Sequence, residues 1–124
     1  MPRILIVDDE RAVLRMLTVA FSKAGYEVRT AVHAQEAMEL LDRESVDAVL
    51  SDVLLNHLSG HDLVRWIAAR GKTVPCALMT GFDPEDCGDC PFSDRCAVLA
   101  KPLNPKDAVV PIDRLIKQAE SPAH

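Results

Sequence analysis

Ile4-Leu5-Ile6-Val7-Asp8-Asp9-Glu10 is the stretch whose reading decides the fold. Four consecutive apolar residues, three of them β-branched, stop abruptly at two carboxylates. A run with apolar residues at both alternating positions cannot leave either face in water, so it predicts a strand covered on both sides. The period then changes. Val13, Leu14, Leu17, Ala20, Phe21 and Ala24 recur at helical spacing, and Gly25 supplies a helix stop. A doubly covered strand leading straight into an amphipathic helix is the start of a βα unit.

The same alternation continues outward from this unit. Tyr26 to Thr30 reads as a short strand, and Ala34, Ala37, Met38 and Leu41 form a second helical stripe. Val46 to Ser51 is a third strand, ended by Asp52; a loop from Val53 to Ser59 closes at Gly60. Leu63, Val64, Ile67 and Ala68 make a third stripe, closed by Gly71. Pro75 to Met79 and Ala97 to Ala100 are the fourth and fifth strands, ended by Thr80-Gly81 and by Lys101-Pro102. Ala108, Ile112, Leu115, Ile116 and Ala119 form the last helix. Five apolar strands alternating with amphipathic helices predict an α/β fold, a doubly wound parallel sheet in three layers.

Two segments interrupt the pattern. Pro111 lies inside the last stripe, where proline removes a backbone bond and clashes with the preceding turn. The helix therefore either starts near Pro111 or starts after Asn104-Pro105 and kinks. Residues 83–95, between the fourth and fifth strands, contain Gly88 and Pro91 and are poor helix material. A short or irregular fourth helix is expected there.

The chain has 124 residues, 48% hydrophobic and 27% charged, with 14 basic and 19 acidic side chains and a net charge of −5. That length predicts one domain, taken as 1–120, with a frayed tail over 121–124. An acidic chain with no basic run argues against direct nucleic-acid binding. The longest apolar runs are too short to span a bilayer, and no secretory signal precedes the first strand. The expected location is cytoplasmic.

In open parallel sheets, reactive groups collect beyond the carboxyl ends of the strands. Here those ends deliver Asp8 and Asp9, then Asp52, then Thr80, then Lys101. Carboxylates this close repel one another and call for a cation; an all-oxygen site of this kind suits Mg²⁺, with Mn²⁺ as an alternative. A lysine can pair with a carboxylate or a phosphoryl oxygen, and a threonine hydroxyl can donate to a second phosphoryl oxygen. The set suits a phosphoryl group held in line with a carboxylate nucleophile, and Asp52, alone at its strand end, is the best nucleophile. Any one of these acids could instead be a helix cap; four successive strand ends with the appropriate groups carry the reading.

The elements ILIVDDE (4–10), VLSD (49–52) with Gly60 eight residues on, MTG (79–81) and AKP (100–102) resemble the receiver domain of bacterial two-component response regulators. The resemblance runs from Pro2 to about Glu120. It implies a flavodoxin-like (βα)₅ fold with strand order 2-1-3-4-5. It implies that Asp52 accepts a phosphoryl group from a histidine kinase or a histidine phosphotransfer protein. Asp9, Asp52 and the Leu54 backbone carbonyl would hold Mg²⁺ directly, and Asp8 would act through a metal-bound water. Thr80 and Lys101 would contact the phosphoryl oxygens, with a cis bond at Lys101-Pro102. The domain would catalyse only its own phosphoryl transfer and slow self-dephosphorylation, and it would pass its signal to an output partner that the sequence does not name.

The chain departs from that family's pattern at several positions. Where the switch aromatic of the fifth strand is expected, three residues before Lys101, stands Val98. Leu54 and Phe82 flank the approach of a hydrolytic water with apolar side chains. Cys87, Cys90 and Cys96 fall within ten residues. They suit Zn²⁺ or an iron–sulfur cluster if a fourth ligand joins them, a redox pair at Cys87 and Cys90, or plain loop thiols. Cys76 is a poor fourth ligand, placed as it is in a buried strand. His33, His57, His61 and His124 read as surface or loop residues. Two rival readings remain: a degenerate or redox- or metal-responsive receiver serving as an interaction scaffold, and a phosphatase with an aspartyl nucleophile. The latter class usually carries a second acid where Leu54 stands.

Overall fold

The computed structural model describes residues 2–52, 60–70, 74–80, 96–100 and 105–120. Five strands, β1 (Arg3–Val7), β2 (Glu27–Ala31), β3 (Ala48–Asp52), β4 (Cys76–Thr80) and β5 (Cys96–Ala100), form one sheet in the order β2-β1-β3-β4-β5. Every neighbouring pair is parallel. Helices α1 (Arg11–Lys23), α2 (Ala34–Arg43), α3 (Gly60–Ala69) and α4 (Pro105–Glu120) complete the described elements. The short or irregular helix expected between the last two strands falls in 81–95, outside the described residues.

The strand pleat explains why the first run must be apolar throughout. Ile4 and Ile6 face one layer with Leu14, Leu17 and Phe21 of α1 and Ile112 and Ile116 of α4. Leu5 and Val7 face the other with Ala37 and Leu41 of α2 and Leu63, Val64 and Ile67 of α3. Ile4, Leu5, Ile6 and Val7 are all completely buried. At about 1.5–3 kcal/mol for each large apolar side chain removed from water, this strand anchors both layers.

Element ends follow local chemistry. After α1, Gly25 takes φ 94°, a left-handed turn that a side chain would strain, and lets Tyr26 turn back to donate its amide to the Phe21 carbonyl at 2.9 Å. His33 is the N-cap of α2: its Nδ1 accepts from the Glu36 amide at 3.1 Å. This histidine, read from sequence as an unassigned surface residue, thus has a definite structural task. The last helix starts at Pro105, a position where the missing amide costs nothing. It runs through Pro111, which resolves the alternatives left open by the sequence in favour of the longer helix.

The α1 and α4 layer is closed by Tyr26. Its ring meets Phe21 edge-on, with centroids 5.1 Å apart and planes at 88°, and its hydroxyl donates to the Asp113 carboxylate of α4. Burial first, then the hydrogen bond and charge of Asp113, push the Tyr26 pKa above its ordinary value. On the opposite layer, Arg70 pairs with Asp42 and lies 4.8 Å from the Trp66 ring centroid, joining the end of α3 to α2. Arg3, Glu27, Arg29 and Glu44 form an ion-pair network at the amino-terminal edge of the sheet, partly exposed and therefore worth little stability.

Two outcomes follow from this packing. Phe21→Ala should destabilise the fold by about 3–5 kcal/mol in denaturant titration, the cost of a cavity in a closed core. Tyr26→Phe should cost about 1 kcal/mol, lowering the melting midpoint by about 4 °C. Because the folded state holds the phenol proton more tightly, its contribution is complete below the ordinary tyrosine pKa of about 10 and is lost as pH rises beyond it. The wild-type chain should lose its advantage over Tyr26→Phe in melts above that pH.

Candidate functional site

Sheet register builds the site. Between β1 and β3 the pairs are Ile4 with Ala48, Leu5 with Val49, Ile6 with Leu50 and Val7 with Ser51. The next step of the same register sets Asp8 beside Asp52, two carboxylates 44 residues apart in sequence. Asp8 is held by its backbone: its amide donates to the Ala31 carbonyl at 3.1 Å, where β2 ends. One of its carboxylate oxygens accepts from the Glu10 amide at 2.9 Å, which turns the chain from β1 into α1.

The helix-cap reading of these acids does not describe them. The N-cap of α1 is Glu10, whose side chain makes no capping bond. The carboxylates instead gather. Asp8, Asp9 and Asp52 each bring an oxygen within 4.8 Å of the others. Asp8 is fully buried, Asp52 is 7% exposed, and Asp9 is exposed. Ser51 is buried beside them, its hydroxyl donating to the Asp52 carbonyl at 2.9 Å. Two like charges about 4 Å apart repel by about 4 kcal/mol at an effective dielectric near 20. Carboxylates gathered on one rim favour a cation between them, and hard oxygen donors select a hard divalent ion. The span also fits: two direct Mg²⁺ ligands can lie at most about 4.2 Å apart, twice the metal–oxygen distance, so a 4.8 Å limit leaves room for one carboxylate to act through water.

Of the remaining predicted residues, Thr80 ends its strand on the same side of the sheet. Thr80 is the last residue of β4 and pairs in register with Ala100, the last of β5. Lys101 follows Ala100 directly and is itself outside the described residues, as are Leu54, Phe82, Cys87 and Cys90. Val98 is the register partner of Leu78. Cys96 belongs to β5 as its first residue, where it pairs with Cys76 of β4. The sequence reading grouped Cys96 with the preceding loop and set Cys76 aside. Counting back four residues from Thr80 and from Ala100 would have found the pair.

Comparisons with known proteins agree with this geometry. Residues 4–112 match the response regulator receiver domain family. Response regulator MprA of Mycolicibacterium vanbaalenii is 37% identical over 81 residues, which are 65% of this chain and 35% of MprA. The probable transcriptional regulator ycf27 of Cyanophora paradoxa is 30% identical over 97% of this chain and 50% of its own length. The chain therefore spans about a third to a half of these relatives. A CheY-like receiver domain crystal structure from Methanospirillum hungatei superposes with a TM-score of 0.85 at 27% identity, covering 97% of both chains. Among the described residues no helix is long and apolar enough to cross a membrane. The family match, the relatives and the fold converge: this chain belongs to the response regulator receiver domains of two-component signalling.

Proposed function

We propose that Asp52 is the phosphoacceptor of this domain and that a divalent ion, Mg²⁺ or Mn²⁺, assists the transfer. The observation that carries the reading is the convergence of the Asp8, Asp9 and Asp52 oxygens within 4.8 Å of one another. Asp9, Asp52 and the backbone carbonyl of Leu54, a residue outside the described ones, would hold the ion, and Asp8 would act through a metal-bound water. The bound ion supplies positive charge that offsets the three carboxylates and the incoming phosphoryl oxygens.

The residues of the chain do the rest. Asp52, at the end of a strand buried along its whole length, presents its carboxylate from a rigid support. A carboxylate oxygen attacks phosphorus in line with the leaving group, forming an acyl phosphate as the donor's bond to phosphorus breaks. The donor is the phosphohistidine of a histidine kinase or phosphotransfer protein. Thr80, from the end of β4, donates its hydroxyl to one phosphoryl oxygen, and Lys101, just past β5, pairs with another. The transfer is to the domain itself, not to an external substrate. Output passes through contacts with a partner protein or a linked domain. With Val98 in place of an aromatic, the switch proceeds without a ring to bury.

Incubation with Mg²⁺ and acetyl phosphate, followed by intact mass spectrometry, should show a single phosphoryl adduct. Asp52→Ala should abolish it, and chelation of Mg²⁺ should suppress it. A chain that stays unmodified, or that is modified equally in Asp52→Ala, contradicts the assignment.

With apolar Leu54 and Phe82 at positions expected from sequence to flank the route of a hydrolytic water, the acyl phosphate should be long-lived. Leu54→Asn should speed its loss about tenfold, equivalent to about 1.4 kcal/mol of barrier, as read by the decay of the adduct. A half-life of seconds that Leu54→Asn leaves unchanged contradicts this.

A further inference from the structure

Cys76 and Cys96 stand directly opposite one another at the start of β4 and β5. Twenty residues separate them in sequence, yet the register that aligns Thr80 with Ala100 also aligns these two. Register partners in parallel strands share a face of the sheet and lie about 4.8 Å apart between α-carbons, inside the window of about 4.4–6.8 Å that disulfides span. Cys76 is 4% exposed and belongs to the core layer of α2 and α3, where its thiol donates to the Val74 carbonyl at 3.4 Å. β5 ends the sheet, and Cys96 is its first residue.

We propose that Cys76 and Cys96 form a redox-active dithiol, oxidised by a small hydroperoxide to a disulfide that joins β4 to β5. In this scheme Cys96, on the edge strand, is the attacking thiol and the interior Cys76 the resolving one. The Cys96 thiolate attacks the peroxide, the O–O bond breaks, and a sulfenic acid forms as the reduced oxygen leaves as water or alcohol. The Cys76 sulfur then attacks the sulfenic sulfur; the S–S bond forms, the S–O bond breaks, and hydroxide leaves with the Cys76 proton as water. Two thiols lose two electrons and two protons, and the hydroperoxide takes them up. Parallel register also holds the β-carbons about 4.8 Å apart, beyond the mean of about 3.8 Å in disulfides, so the strands must close locally. A bond made under such strain is readily reduced, the property of reversible rather than permanent disulfides. The modification couples the two strands whose far ends carry Thr80 and lead into Lys101.

Trypsin cuts after Lys72 and Arg95, which places Cys76, Cys87 and Cys90 in one peptide and Cys96 in another. The chain is treated with hydrogen peroxide, quenched, denatured, and alkylated with N-ethylmaleimide without reduction. In Cys87→Ser/Cys90→Ser, the reduced chain should take two maleimides and the oxidised chain none. The oxidised digest should link peptide 73–95 to the peptide beginning at Cys96, and dithiothreitol should restore both thiols. In the wild-type chain, fragmentation of the linked peptide should locate the bond at Cys76, a readout that does not depend on the variant folding. Two maleimides retained by the oxidised variant, links between chains only, or a wild-type bond between Cys87 and Cys90 with Cys96 alkylated would each overturn the proposal.

Discussion

Everything in this domain depends on the pairing of β1 with β3. One register, held over four residue pairs, does two things at once. It sets Ile4, Leu5, Ile6 and Val7 at the centre of the sheet, where both helical layers close on them. It also carries Asp8 to the side of Asp52 at the point where the strands end. A slip of one residue would turn every β3 side chain to the opposite face and move Asp52 off the rim. The core thus enforces the site: the apolar residues cannot be buried without bringing the acids together.

That coupling has a cost. Carboxylates gathered against a low-dielectric layer repel by several kcal/mol, a large fraction of the 5–15 kcal/mol that typically holds a domain together. The same arrangement makes the rim receptive to a divalent ion and then to a phosphoryl group, whose negative oxygens would otherwise be turned away. Rigid strands and a short turn hold the acids, so little reorganisation is needed when charge arrives. The opposite edge of the sheet carries the mixed-charge network of Arg3, Glu27, Arg29 and Glu44, in which each carboxylate already has a guanidinium. The contrast between an edge of paired charges and a rim where three carboxylates gather locates the chemistry.

Much of this was legible in the chain itself. Doubly apolar strands each ended by a polar group are a one-dimensional record of a covered parallel sheet with a functional rim. Ile4 to Val7 followed by Asp8-Asp9, and Val49 to Ser51 followed by Asp52, contain most of the site. What periodicity could not show are contacts made across the fold. Tyr26 finds Asp113 across 87 residues, a pairing decided by how α4 packs on α1. His33 looked idle because a histidine seldom caps a helix; only the geometry of its Nδ1 toward Glu36 shows the bond. Cys96 was grouped with its sequence neighbours because proximity along the chain was visible and strand register was not. Pro111 was ambiguous because local propensity opposes a proline inside a helix, while the burial of Ile112 and Ile116 against the sheet favours continuing it.

The most direct test of the acidic rim is its thermal unfolding midpoint as a function of Mg²⁺, compared between the wild-type chain and Asp9→Asn. If the three carboxylates repel until a cation joins them, the wild-type midpoint rises with ion concentration, as linkage requires for a ligand of the folded state. Asp9→Asn then melts higher than wild type in chelator and gains little from Mg²⁺. A wild-type midpoint that is the same in chelator and in saturating Mg²⁺, with Asp9→Asn conferring no advantage, would contradict the account.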